Sequence, residues 1–162
     1  MHIEKPGPSQ ISVWDFPRPP RVEAVDRPVR VEYGGVIIAA SGKALRVCET
    51  ASPPTYYIPP ADVAMDYLQP ATGGSLCEWK GAARYWDVLV GKQRAERAAW
   101  SYPQPTPAFA AIQGYLAFYA GKMSACFIGT EKVQPQAGPF YGGWITAELT
   151  GPFKGEPGTE HW

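Results

Sequence analysis

The residues best suited to binding chemistry lie between Cys77 and Tyr102, where Lys80 precedes Gly81 among three tryptophans and two tyrosines. An ammonium beside a glycine leaves room for an anion, such as phosphate or carboxylate, to approach backbone N–H groups. The alternative is a solvated lysine in a turn, because the sequence lacks the Gly-x-x-x-x-Gly-Lys-Ser/Thr pattern of phosphate-binding loops. Lys80 is therefore a candidate ligand-binding residue.

Aromatic residues near this lysine and elsewhere are candidates for a pocket wall. Aromatic rings hold planar or cationic small molecules by stacking and by cation–π contacts. The alternative for each ring is a place in the core or rim of a small β protein. The aromatic candidates are Tyr57, Trp79, Tyr85, Trp86, Trp100 and Tyr102.

Cys77 lies three residues before Lys80 and could act as a thiolate nucleophile activated by that cation. The only histidines, His2 and His161, lie at the two ends of the sequence. Because no other histidine can serve as its base, we interpret Cys77 as a small buried hydrophobic residue.

Glu49 and Asp62 are the acids best placed to act as a general base or to hold a cation, since each adjoins apolar or proline-rich sequence. The alternative for Glu49 is an ion pair with Arg46 or Arg84. Asp62 would instead complement the dipole of a short helix. No acid pair has a spacing that identifies a glycosidase or a phosphoryl-transfer centre.

Charge and cysteine content bound the function. Fifteen basic and fifteen acidic residues cancel, which disfavours binding to nucleic acid or to an anionic membrane, and the apolar runs are too short to cross a bilayer. Three widely spaced cysteines without a Cys-x-x-Cys pair predict neither disulfides nor a zinc site. The N-terminus lacks the pattern of a secretory signal, so we expect a cytoplasmic protein. The oligomeric state is not determined.

Eighteen prolines and seventeen glycines favour short strands over long helices, so we predict a single, mainly-β antiparallel domain with one or two short helices. Residues 29–40 form the clearest hairpin, across Gly34-Gly35. Strands near 74–79 and 83–89 would flank Lys80. The pattern of residues 94–100 fits a helix or a strand, and we favour a strand because residues 100–103 continue it.

Weaker patterns complete the prediction. Residues 59–68 and 106–113 predict short helices with proline in the first turn, and residues 115–119 are predicted to pair with 123–128. The predicted divisions are a proline-rich arm (1–28), a core domain (29–133) and a C-terminal extension packed on that core (134–162).

Several linked motifs run through residues 29–128. They are Arg46…Glu49, Tyr57-x-Pro59-x-x-Asp62-Val63, Cys77-x-x-Lys80-Gly81-x-Ala83-x-Tyr85, Ala99-Trp100-x-Tyr102-Pro103 and Gly114-x-x-Ala117-Phe118-Tyr119. In this order they resemble the bacterial family called domain of unknown function 427. The proline-rich arm and the tail with Phe140-Tyr141-Gly142-Gly143-Trp144 resemble extensions carried by a longer subgroup.

The resemblance implies a fold similar to the β-tent, in which antiparallel sheets meet at an angle. Many β-tent relatives hold zinc with two Cys-x-x-Cys knuckles, which this sequence lacks, so no zinc is expected. The family has also been labelled nucleotidyltransferase-like, but this sequence has no Gly-Ser followed by a paired Asp-x-Asp.

Three functional interpretations stay open, and no catalytic residue, metal site or cofactor is identified. The first is a small-molecule-binding β domain, whether or not it is an enzyme. Its predicted ligand-binding residues are Glu49, Tyr57, Lys80, Tyr85, Trp100 and Tyr102. The second is a nucleotidyl- or phosphoryl-transfer enzyme, which would need acids that hold Mg²⁺ beside Lys80. The third is a non-enzymatic module that binds a partner through the arm or a sheet edge.

Overall fold

Short strands make up most of the regular structure in the computed structural model, which describes residues 1–77 and 79–162. The strands are β1 (Ile11–Ser12), β2 (Arg21–Ala24), β3 (Val29–Tyr33), β4 (Val36–Ser41), β5 (Leu45–Cys48), β6 (Thr55–Tyr57), β7 (Leu68–Cys77), β8 (Gly81–Val90), β9 (Gln93–Ser101), β10 (Ala117–Phe118), β11 (Ala125–Ile128), β12 (Glu131–Lys132), β13 (Gln134–Pro135), β14 (Trp144–Ile145) and β15 (Leu149–Thr150). The prediction of a mainly-β domain is confirmed.

The helical elements are short 3₁₀ helices. They are Val13–Asp15, Pro60–Asp62, Met65–Tyr67, Pro107–Ile112 and Ala120–Lys122. Across residues 1–77 and 79–162, no helix is both long and apolar enough to cross a membrane.

Three antiparallel sheets contain most of the strands. Their strand orders are β10-β9-β8-β7, β12-β11-β3-β4 and β2-β5-β6. The terminal segments form two further two-stranded sheets, in which β1 runs parallel to β15 and β13 pairs antiparallel with β14.

The first predicted hairpin is confirmed: β3 and β4 pair across Gly34 and Gly35. Both glycines have positive φ, +59° and +80°. A two-residue hairpin turn with positive φ at both positions matches the right-handed twist of its strands, and glycine adopts it without steric cost. The strand predicted for residues 94–100 is also confirmed, as part of β9.

The predicted pairing of residues 115–119 with 123–128 is wrong. In β10, Ala117 lies opposite Trp100 of β9, whereas Cys126 of β11 lies opposite Val31 of β3. Residues Ala120–Lys122 form a 3₁₀ helix instead of a hairpin turn. The apolar residues of the two strands can then be buried in two different sheets.

The helix predicted for residues 59–68 is also different in the structure. Two separate 3₁₀ helices occupy this region, and Leu68 already begins β7. Between the helices the backbone of Val63 is extended and bridges to Ala39 of β4. The pairing with β4 thus interrupts the helix.

Successive side chains along the central strands point to opposite faces and so belong to two separate hydrophobic clusters. The main core contains Tyr56, Ala99, Phe118, Ile128 and Trp144 among its buried residues. The second cluster consists of Val47, Tyr57, Ala83, Tyr85, Trp100, Tyr102, Phe109, Ile112 and Ala117. Neighbouring residues of one strand point to opposite faces. One face of β6, β9 and β10 therefore packs in the main core and the other builds the second cluster.

Both terminal segments pack against this framework. In the N-terminal segment, β2 pairs with β5, and Phe16 is buried beside Cys48. In the C-terminal segment, Trp144 is buried and stacks on Tyr56 with ring centroids 5.1 Å apart. The domain limits at residues 28 and 133 stay predictions.

Candidate functional site

A cavity of about 320 Å³ opens over the second hydrophobic cluster. The structure brings all six predicted ligand-binding residues to its wall: Glu49, Tyr57, Lys80, Tyr85, Trp100 and Tyr102. They come from the end of β5, from β6, from the turn between β7 and β8, and from β8 and β9. That these residues bind a ligand stays a prediction.

Lys80 is the buried cation of this cavity, with only 8% of its surface exposed. Its Nζ lies 5.9 Å from the ring centroid of Tyr102 and 5.9 Å from that of Phe109. Within residues 1–77 and 79–162, no carboxylate oxygen lies within 4.0 Å of the Lys80 Nζ, the distance limit of an ion pair. The ammonium therefore faces aromatic rings without a bound counter-ion from the described chain.

Burial works against the charge of Lys80, but its neighbours outweigh that effect. Interactions with Tyr57, Cys77 and Glu49 favour the ammonium and hold the pKa of Lys80 above its ordinary value. Because a lysine already titrates well above neutral pH, the side chain is positively charged at pH 7.

The turn that carries Lys80 is held by its contact with Thr106. The N–H of Thr106 donates to the Lys80 carbonyl at 3.0 Å, and its hydroxyl donates to the Trp79 carbonyl. Gly81 follows with φ +107°, and a Cβ there would lie 3.3 Å from the Gln104 carbonyl oxygen. The positive backbone angle favours glycine at this position, and the space for a side chain is tight.

Three aromatic side chains form the inner wall. Trp100 donates its Nε1 hydrogen to the Tyr57 hydroxyl at 3.3 Å, and the ring centroids of Tyr57 and Tyr102 are 6.3 Å apart. Burial raises the pKa of both tyrosines. These phenols are consequently neutral at pH 7 and can exchange hydrogen bonds with a ligand without adding negative charge.

Tyr85 and Glu49 lie in different surroundings. The Tyr85 hydroxyl is 2.9 Å from Ser75 Oγ, and the Arg97 guanidinium lies 4.0 Å from the centroid of its ring. Glu49 is half-buried. The ion pair considered between Glu49 and Arg46 is not formed, because Arg46 binds other acids.

Two other candidates lie outside the cavity. Asp62 accepts a hydrogen bond from the Ser41 hydroxyl at 2.7 Å in the first of the two 3₁₀ helices after β6. Trp86 packs against the main core and donates its indole N–H to Ser101 Oγ at 3.1 Å. Cys77 and Trp79, in contrast, line the cavity.

The sequence predictions missed the part of the wall that comes from the C-terminal segment. It contributes Gln136, Phe140, Tyr141, Gly142 and Lys154. A Cβ on Gly142 would lie 2.8 Å from Cζ3 of Trp100 and would overlap Cη2, so bare backbone packs on the indole ring. The signal that could have indicated this wall is the pair of glycines between Tyr141 and Trp144.

Lys154 is a second cation at the cavity, and its backbone is held on both sides. Its N–H donates to the Ala51 carbonyl at 2.8 Å, and its own carbonyl accepts from Gln136 Nε2 at 2.6 Å. The ammonium lies 5.5 Å from the ring centroid of Tyr141. The C-terminal segment thus adds both shape and charge to the site.

The arrangement of acids, cysteines and histidines in the described part of the chain bears on metal binding. There, no group of three or more His, Cys, Asp or Glu side chains is arranged to hold a metal ion. The nucleotidyl- or phosphoryl-transfer interpretation needs acids that hold Mg²⁺ beside Lys80, and Glu49 is the one acid among the described residues that line the cavity.

Comparison with known proteins assigns the central part of the chain to a protein family. The family model described as Domain of unknown function (DUF427) matches residues 21–129, well over half of the sequence. The chain matches no curated protein. The matched region contains all six predicted site residues, whereas the wall from Gln136 to Lys154 lies beyond it. The chain belongs to the DUF427 family.

Proposed function

We propose that this protein binds a small anionic molecule with a planar ring in the cavity beside Lys80. The observation that carries the proposal is the buried ammonium of Lys80, which has no carboxylate within ion-pair distance among the described residues. Burial alone disfavours a charge that has no ion-pair partner, and the described neighbours of Lys80 offset that effect without forming an ion pair. An anionic ligand would supply the missing counter-charge.

The aromatic wall determines the remainder of the ligand. Tyr57, Trp100 and Tyr102 present ring surface beside the ammonium, and stacking on such rings favours a planar group. A volume of about 320 Å³ lies at the small end of the range for ligand pockets. A metabolite of modest size fits this space better than a polymer does.

A cytoplasmic location is part of the proposal. Cys48, Cys77 and Cys126 are all free thiols, which supports a reducing compartment. The interaction-module alternative has less support, because two segments of the arm, β1 and β2, are already paired within the chain.

A thermal-shift screen of the full chain against carboxylates, phosphates and neutral analogues tests the proposal. We expect anionic ring compounds to raise the melting temperature by mass action. Lys80→Met should weaken their binding about tenfold to a hundredfold, since a hydrogen bond to a charged group contributes about 1.5–3 kcal/mol. Lys43→Met, at an exposed lysine in a turn, is the matched control and should bind as the wild type does.

Hits that bind Lys80→Met as tightly as the wild type, or hits confined to neutral compounds, would contradict the proposal. Calorimetric titration with nucleoside triphosphates and Mg²⁺ tests the transfer alternative. Tight binding there that requires Mg²⁺ would favour that alternative instead.

A further inference from the structure

Two large apolar side chains stand exposed at the rim of the Lys80 cavity. Leu76 is 80% exposed and Phe140 is 60% exposed, and both line the cavity. Leu76 belongs to β7, whereas Phe140 belongs to the C-terminal segment, so the apolar rim is built from two separate parts of the chain. Exposed apolar side chains at the edge of a ligand-sized cavity can contact an apolar part of a bound molecule, which removes their surface from water.

Both rim residues have a defined backbone position. Leu76 lies opposite Ala82 in the ladder between β7 and β8. The Phe140 carbonyl accepts a hydrogen bond from the Tyr119 hydroxyl at 3.0 Å, and its ring packs edge-on against Tyr141 with centroids 5.7 Å apart. The exposed side chains are thus presented by ordered backbone.

From the rim inward, the cavity changes in polarity. Its outer edge is apolar at Leu76 and Phe140, Trp100 forms part of its buried aromatic wall, and Lys80 is its buried cation. A molecule that fills such a gradient has a charged end and an apolar end.

The charges of the lining residues set the charge of that molecule. Among the described lining residues, the formal charges are those of Glu49, Lys80 and Lys154, which leave an excess of one positive charge. One negative charge on the ligand would neutralise the cavity.

We propose that the ligand is an amphipathic monoanion that enters head-first. Its carboxylate or other anionic head contacts Lys80, its ring stacks among the inner aromatic residues, and an apolar substituent covers Leu76 and Phe140. This inference rests on the proposed function and names the class of ligand. A second copy of the chain is a weaker occupant, because two side chains provide far less area than the roughly 1,000 Å² that a stable interface needs.

Calorimetry with benzoate and with 4-ethyl-, 4-butyl- and 4-hexylbenzoate tests the inference, since the head and ring stay constant while the substituent grows. Affinity should rise about fourfold for each methylene that becomes buried, until the substituent passes the rim. Lys80→Met should weaken every member of the series. The neutral 4-butylbenzamide should bind at least tenfold more weakly than 4-butylbenzoate.

Leu76→Ser distinguishes the rim from the rest of the site. It should remove most of the gain in affinity with substituent length and weaken benzoate much less than 4-hexylbenzoate, since the serine removes only the apolar contact at the rim. Phe140→Ser should act in the same direction. Ile37→Ser is the matched control, because Ile37 is a 55% exposed apolar residue of β4 that does not line the cavity. It should leave the affinities of all the benzoate compounds unchanged.

The outcomes separate the two proposals. If anions bind through Lys80 but affinity is independent of substituent length, or if Leu76→Ser leaves the length dependence intact, the amphipathic ligand is wrong and the anion site stands. If no anion binds in a Lys80-dependent way, both proposals fall. Light scattering that shows a dimer dispersed by Leu76→Ser would assign the rim to an interface between copies and overturn the inference.

Discussion

Gly142 and Trp100 show how one residue without a side chain shapes the candidate site. The indole of Trp100 is almost fully buried, and the backbone of Gly142 packs directly on its six-membered ring. The φ of Gly142 is not left-handed, so the need for glycine at this position comes from space and not from backbone conformation.

Gly142→Ala should lower the free energy of unfolding by about 1–3 kcal/mol, because the new methyl group overpacks a buried contact. Urea denaturation followed by tryptophan fluorescence measures this change. Gly42→Ala is the control, since a Cβ there meets no atom within 4 Å and the φ is ordinary. It should leave stability unchanged or raise it by a few tenths of a kcal/mol. Equal effects of the two substitutions would contradict the close contact.

Among the elements, the C-terminal segment behaves as part of the fold although it lies outside the matched family region. Trp144 anchors it: the side chain is 1% exposed, stacks on Tyr56, and donates its indole N–H to the Phe118 carbonyl at 2.9 Å. The same segment then continues to the cavity wall. Order at the site and stability of the core are therefore linked through this element.

Trp144→Ala should cost about 3–5 kcal/mol of unfolding free energy, since it empties a large buried volume and leaves the Phe118 carbonyl without its donor. Trp162→Ala is the matched control. Trp162 is half-buried and lies 5.3 Å from the Trp14 ring centroid, so its loss should cost clearly less. Guanidinium denaturation of both variants gives the comparison, and similar losses would show that the segment is not anchored at Trp144.

At the scale of the whole molecule, Arg46 joins three distant parts of the chain. From β5 it binds Glu23 of β2 at 2.6 Å and Glu148, just before β15, at 2.9 Å. Its own side chain is only 14% exposed. Burial raises the pKa of Glu23, but the hydrogen bond and charge of Arg46, with a smaller contribution from Arg21, outweigh it and hold that pKa below its ordinary value.

This linkage predicts how stability depends on pH. A carboxyl whose pKa is lower in the folded state stabilises the fold above its unfolded pKa of about 4.5, and that stabilisation is lost as the pH falls. Arg46→Met should therefore lower stability at pH 7 by about 1–3 kcal/mol. It should also flatten the loss of stability between pH 5 and pH 3.

Arg21→Met is the control for this experiment, because Arg21 binds the same Glu23 carboxylate from an exposed position, 51% exposed. Arg21→Met should change the stability at pH 7, and the loss of stability between pH 5 and pH 3, much less than Arg46→Met does. Urea denaturation from pH 3 to pH 7 measures both quantities. If the free energy of unfolding falls equally steeply between pH 5 and pH 3 in the wild type and in Arg46→Met, Arg46 does not govern the protonation of Glu23.

By itself, the sequence determined the mainly-β class and the first hairpin, and it favoured a strand at β9. It also indicated six residues that the structure brings to one cavity wall, and their role in binding stays a prediction. Side chains alternate between the two faces of a strand, so the sequence alone shows which neighbours share a face with Tyr57 in its strand and with Trp100 in its own. Only the tertiary structure decided that β10 pairs with β9 and not with β11, and that Gly142 reaches Trp100. Strands that are apolar on both faces carry no mark of their partner, and contacts between distant residues depend on how complete surfaces pack together.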